Sequence, residues 1–247
     1  MDRLIYTAMT GASNVQQQLA AVTENLANAS TPGFRAVLHT FRAVPLTGEG
    51  LPTRTFVVDS TAGADFAPGP VQQTGRDLDV ALQGDGWIAV QAADGKEAYT
   101  RNGSFQVAAN GVLQTRTGLN VAGDGGPISI PADTEVTFAK DGTISTVPSG
   151  GKATSVVVVG RIKLVNPAQE QMERGGDGLF RLKDGTDAVA DEGVRVVPGS
   201  LEGSNVNVVE AMVNMISLAR KFDMQMKMLQ NASSNAQKAA QVMSISA

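Results

Sequence analysis

Few side chains in this sequence are of a type and spacing that could do chemistry. His39 is the only histidine, and "VLHTFRAV" around it offers neither the carboxylate nor the nucleophile that a general base works with. In "RDLDV", residues 76–80, Asp77 and Asp79 stand two apart. On an extended chain they would share a face and could divide acid–base work. Leu78 and Val80 alternate with them, which favours a half-buried strand instead. "GDGW" and "GGDGLF" are glycine-rich but lack the Lys-Ser/Thr of a phosphate loop, so both read as turns. "AGADFAPG" and "DGGP" lack the ligand spacing of a calcium loop. There is no cysteine, which removes disulfides, thiolate metal sites and cysteine nucleophiles together. A single histidine removes a histidine metal cluster. The sequence therefore assigns no catalytic residue, no metal site and no cofactor.

The totals shift attention to architecture. The 247 residues are 42% hydrophobic and 18% charged, enough for a buried core, and aromatics make up only 4%. A net charge of −4 gives nucleic acid no reason to bind. No stretch approaches the ~18 apolar residues of a membrane span, so no membrane insertion is expected. Arg3 is the only basic residue before Arg35, and no apolar block of leader type follows it. The expectation is a soluble chain, either cytoplasmic or exported without a cleaved signal.

Glycine divides the chain into three regions. All but Gly11 and Gly33 of the 27 glycines fall between Gly48 and Gly203, and the last proline is Pro198. In the first region Ile5, Ala8, Ala12, Val15, Leu19, Val22 and Leu26 recur at alternating steps of three and four. That is the stripe of an amphipathic helix. "ENLANASTPGFRA" then ends it. Asn25 and Asn28 can hydrogen-bond the backbone at the break. Pro32 forces Thr31 out of the helical region, and Gly33 permits a positive φ. In the last region Val208, Met212, Met215, Ala219, Phe222, Met226, Leu229, Ser233, Ala236, Ala240 and Met243 keep the same step. Asn205 or Asn207 can cap its start. Six of the nine methionines lie here, and methionine suits a surface that must fit several different neighbours. Arg220 and Lys221 either pair with acids of a neighbour or face solvent.

The middle region reads as β. Strands flank Asp94-Gly95, Asn102-Gly103 and Asp141-Gly142, and "SVVVVGRIKLV" is a β-branched run. The predicted fold class is mixed: N- and C-terminal amphipathic helices, coiled-coil-like and pairing in an assembly, flank an all-β central domain. The expected divisions are an N-terminal helix and Pro-Gly turn over 1–33, an extended connecting segment over 34–76, a β domain over 77–198 and a C-terminal helix over 199–247. Each terminal stripe is buried either in a coiled-coil seam or by folding back onto the β body.

Three blocks then resemble one family, the axial subunits of the bacterial flagellar rod and hook. "NLANASTPGFRA" is similar to their N-terminal signature and "GSNVNVVEAMVNMISLARKFDMQMKML", residues 203–229, to their C-terminal one. "LDVALQGDGWIAVQAADGKEAYTRNGSFQVAANGVLQTRTG", residues 78–118, resembles the β domain between them. The length and the opening "MDRLIYTAM" are most similar to proximal-rod members, with distal-rod and hook-type subunits as alternatives. The resemblance implies a non-enzymatic subunit, exported by the flagellar type III apparatus, that polymerises with copies of itself and with proximal and distal rod subunits. It implies a site in the periplasmic part of the basal body. It also implies an assembly interface of Ile5, Ala8, Ala12, Val15, Leu19, Val22, Asn25, Leu26, Asn28, Pro32, Gly33 and Phe34 near the start and Val208, Met212, Met215, Ala219, Phe222, Met226 and Leu229 near the end, with Arg35 adding contacts. A β-domain binding module or a peptidoglycan-acting enzyme is the alternative from another class.

Overall fold

A computed structural model describes residues 2–45, 55–148 and 156–245. The chain forms two compact units. One draws on Met1–Ala29, Val37–Asp65 and Val206–Ala247; the other consists of Ser30–Ala36 and Phe66–Asn205.

The first unit holds helix α1, Asp2–Ala27, and helix α2, Val208–Ile245. At 1.5 Å per residue, the 38 residues of α2 extend about 57 Å. Asn207 is the cap that starts it: its Oδ1 accepts from the backbone N–H groups of Val209 and Glu210 at 3.1 and 3.3 Å. Those donors lie in the first turn and have no partner inside the helix. Asn205, the other candidate cap, is used elsewhere.

Strands β1, Val37–Pro45, and β2, Thr55–Ala64, complete this unit as an antiparallel pair with a bulge between Thr40 and Phe41. This corrects the expectation of an extended connector over 34–76. The period-two signal was present. Val37, His39, Phe41 and Val44 are half-buried, whereas Leu38, Thr40 and Arg42 are exposed. α1 packs against both strands as well as against α2.

Among its described residues the second unit is β, with a short 3-10 turn at Gln169–Gln171. Its centre is the strand Trp87–Gln91, which pairs with Glu97–Thr100 on one side and with Asn120–Gly123 and Leu164–Val165 on the other. Buried on it are Ile88 and Val90, packed with Val80, Phe105, Leu113, Val121, Ile144 and Ile162. Asp94-Gly95 turns the first hairpin as expected. Gly95 has φ 80°, and the Asp94 carboxylate accepts from Lys96 N at 3.0 Å. Asp141-Gly142 repeats the device between Thr134–Phe138 and Thr143–Pro148. Asn102-Gly103 is flanked by strands, but these do not pair with each other. Instead Gly103 O accepts from Val80 N, and a Cβ on Gly103 would stand 1.8 Å from Val80 O.

The returning chain closes this body on itself. Arg195–Pro198 pairs with Val80–Gln83, and Ser200–Glu202 with Val71–Gln73. Residues 199–205 therefore belong with the β body, as do Ser30–Ala36, so the body's boundaries differ from the expected 77–198. The outgoing strand lies beside the incoming loop: Gly33 N donates to Glu202 O at 2.8 Å and Asn205 N to Phe34 O at 3.3 Å.

Candidate assembly site

The two helices already pair within one chain, where pairing had been expected in an assembly. On α1 the stripe faces inward. Ala8, Ala12 and Val15 are buried, and Ile5, Leu19, Val22 and Leu26 are half-buried. Ala21, outside the stripe, is buried too, because α1 covers the β1–β2 hairpin as well as α2. Gly11 keeps the helices close, since a Cβ there would come within 3.1 Å of the Gln225 amide.

On α2 the covered seam differs in phase from the predicted stripe. Ala211, Leu218 and Ala232 are buried, with Met215, Phe222, Gln225 and Leu229 half-buried between them. Met215, Phe222 and Leu229 are shared with the stripe. Val208, Met212, Ala219, Met226, Ser233 and Ala236 are exposed instead; the side chains of Ala240 and Met243 lie outside the described residues. The cause is that the first half of α2 is apolar on more than one face, so spacing could not choose between phases.

This leaves a second apolar face uncovered. Val209 is 71% exposed, Val213 60%, Ile216 56% and Met212 49%. At 100° per residue these four lie within an arc of about 100°, turned away from the seam. Val208 and Ala219 flank it.

The chain break is built from specific pairings. Asn25 and Val37 exchange two hydrogen bonds: Asn25 Nδ2 donates to Val37 O at 3.0 Å, and Val37 N donates to Asn25 Oδ1 at 2.7 Å. The side chain thus acts as a strand partner and ties the end of α1 to the start of β1. Asn28 instead closes its own helix, with Nδ2 donating to Glu24 O at 2.9 Å.

Within the body, Pro32 is half-buried and Gly33 has φ 69°. A Cβ on Gly33 would lie 2.4 Å from the Arg101 carbonyl carbon, so only glycine fits. Phe34 stacks under the Arg174 guanidinium at 4.8 Å. Arg35 points inward, not out to a neighbour. It is 2% exposed and lies 2.7 Å from Glu202 Oε1. The other carboxylate oxygen of Glu202 is 2.9 Å from Arg101 Nε, and Gly69 N donates to Oε1 at 3.0 Å. Arg101 also donates to Gly86 O and Gly84 O at 2.6 and 2.8 Å, which gives the "GDGW" turn its purpose. Asn205 completes the join, accepting from Ala36 N at 2.8 Å and donating to Ala67 O at 3.0 Å.

Sequence reasoning missed Glu202 and Arg101. A buried carboxylate shared by guanidiniums from positions 35 and 101 has no local signature. Nor do the weighed catalytic candidates converge. Asp77 is exposed on a turn, whereas Asp79 is buried, accepting from Thr74 Oγ1 at 2.9 Å and Ser104 Oγ at 3.2 Å. The Asp79 N–H bonds Arg76 O across that turn, so the two carboxylates do not share a strand face.

A terminal helix pair with an uncovered apolar face, joined by a Pro-Gly break to a β body, is the layout of a structural subunit that offers a surface to others. Three family models match in chain order: "Flagella basal body rod protein" over residues 5–35, "Flagellar hook protein FlgE/F/G D1 domain" over 81–146 and "Flagellar basal body rod FlgEFG protein C-terminal" over 197–242. The chain belongs to the flagellar basal-body rod protein family. Within that family it is FlgF-like. It is 53% identical to the flagellar basal-body rod protein FlgF of Escherichia coli K12 and 51% identical to that of Salmonella typhimurium LT2, each over the whole of both chains. Identity to the rod protein FlgG of Buchnera aphidicola subsp. Acyrthosiphon pisum is 31%, over 96% of this chain and 98% of that one.

Proposed function

We propose that this chain is a structural subunit of the proximal rod and joins copies of itself and other rod subunits through α2. The observation that supports the reading is the uncovered face of Val209, Met212, Val213 and Ile216. Burying such side chains is worth about 25 cal/mol per Å2, and an exposed contiguous apolar patch marks an interaction surface. The face lies on the side of α2 away from the seam that α1 covers, so one helix serves both the fold of the subunit and its attachment. Head-to-tail contacts of this kind generate an open helical array. The proposed interface comprises the exposed face together with Val208, Ala219 and Met226.

Export through the flagellar type III apparatus and assembly in the periplasmic part of the basal body follow from the same reading. No catalytic step is assigned. Substituting Val213→Asp and Ile216→Asp together tests the proposal. Both side chains are exposed, so the thermal midpoint of the isolated subunit is expected to stay near that of the parent chain. Swimming in soft agar is expected to be lost, and electron microscopy of basal bodies is expected to show rods halted near the base. Normal rods carrying the variant would overturn the reading.

A further inference from the structure

The β body is closed by the part of it that comes last in sequence. Strand Arg195–Pro198 supplies one edge of the buried strand Val80–Gln83, and Val194 and Val196 join the core that holds Val80 and Leu82. Strand Ser200–Glu202 pairs with Val71–Gln73, which has no other strand partner among the described residues.

The earlier visits of the chain to the body end on the same stretch. Segment 30–36 is held by Gly33 N, which donates to Glu202 O at 2.8 Å, by Asn205 N, which donates to Phe34 O, and by Ala36 N, which donates to Asn205 Oδ1. Segment 66–75 is held by Gly69 N, which donates to Glu202 Oε1, and by Gly203 N, which donates to Pro70 O at 2.8 Å. The N–H groups of Thr74 and Gly75 both donate to Gly199 O, at 2.8 and 3.0 Å. The fit is close: a Cβ on Gly69 would stand 2.1 Å from Gly203 O.

Charge imposes the same order. Arg35 and Arg101 are buried and lie 2.7 and 2.9 Å from opposite oxygens of the Glu202 carboxylate, itself 1% exposed. Guanidiniums from positions 35 and 101 thus take their counter-charge from position 202, and burying them without it is strongly unfavourable. We infer that residues 195–205 are the clasp of the β body and Glu202 its latch. The body has no stable form without them, so a chain delivered N-terminus first stays open until Glu202 has emerged. Residues 203–207 and α2 are then all that follow. The clasp acts whether or not the chain joins a rod; where the chain is exported, it keeps the emerging part threadable.

Hydrogen exchange of the full native chain tests the clasp, because it reads how much of the fold each opening exposes. The clasp amides are those of Val196, Gly199 and Gly203, bonded to Lys140 O, Asp79 O and Pro70 O. The core amides are those of Ala89, Leu113 and Ile162, bonded to Lys163 O, Ile128 O and Gly142 O. A clasp that the body needs cannot open alone. Both sets are therefore expected to share one protection factor and to lose it equally as urea is added. Glu202→Gln keeps the shape and removes the charge, and is expected to lower both sets together by about a hundredfold or more. Arg181→Ala, at the exposed Arg181–Asp177 pair, is expected to leave both within about fivefold. Clasp amides that exchange while the core amides stay protected overturn the inference, as does a Glu202→Gln chain in which the clasp amides alone lose protection. If that variant does not fold, exchange in the parent chain decides. Either overturning result leaves the rod reading standing.

Discussion

Asn25, near the end of α1, and Val37, the first residue of β1, exchange hydrogen bonds of 3.0 and 2.7 Å across twelve positions of sequence. One amide side chain thus replaces a strand backbone and fixes where the hairpin leaves the helix. Both bonds are half-buried, so water competes for them only in part.

Asn25→Ala removes both partners of Val37 and is expected to destabilise the chain by about 1–3 kcal/mol. Asn25→Asp keeps the acceptor for Val37 N but sets a carboxylate oxygen against Val37 O, where a donor stood. Its loss should lie at or above that of alanine at neutral pH and shrink once the acid is protonated. Urea denaturation of the isolated subunit, with helix content followed by circular dichroism, gives both numbers.

Gly33 and Gly95 provide a matched pair. Both have positive φ, 69° and 80°, but an added Cβ meets the Arg101 backbone at 2.4 Å in the first case and nothing within 4 Å in the second. Gly95→Ala should cost about 1–2 kcal/mol, the conformational penalty alone. Gly33→Ala adds a clash with main chain that cannot give way, and its thermal midpoint should fall well below that of Gly95→Ala.

Glu202 carries the buried ion pairs to Arg35 and Arg101. Glu202→Ala leaves two guanidiniums buried without a counter-charge and is expected to cost about 3–5 kcal/mol. The exposed pair Arg181–Asp177, at 2.6 Å, sets the contrast. Arg181→Ala should cost no more than about 1 kcal/mol, because water screens it. Calorimetric midpoints of the two variants at low and high salt separate the cases, with salt moving only the second.

Asp177 also supplies a pH test. The hydrogen bonds from Arg181 hold its carboxyl below the usual carboxylate range, against a smaller opposing effect of burial. A carboxylate whose folded pKa lies below its unfolded value stabilises the fold above the unfolded pKa, at about 4. That stability is lost as pH falls through the folded value. The small difference in midpoint between the parent chain and Asp177→Asn should be constant from about pH 5 to 7 and vanish toward pH 2. A difference that persists in acid would mean that the charge is not its source.

Local chemistry was legible where it is local. The α1 stripe, the turns at Asp94-Gly95 and Asp141-Gly142, a cap at Asn205 or Asn207 and the left-handed Gly33 all follow from side-chain type and spacing of a few residues. These features depend on neighbours along the chain, and the sequence states those neighbours outright. The three blocks that resemble the rod family were legible for the same reason.

Tertiary structure decided which apolar face of α2 is covered. Spacing offered Met212, Ala219 and Met226 as readily as Ala211, Leu218 and Gln225, and only the fit against α1 chose between them. It also decided that segment 34–76 contains a hairpin, because β1 and β2 gain stability by lying against α1. And it brought Arg35, Arg101 and Glu202 together from distant parts of the chain. A buried charge needs its counter-charge in space, and no short-range pattern records which distant residue supplies it.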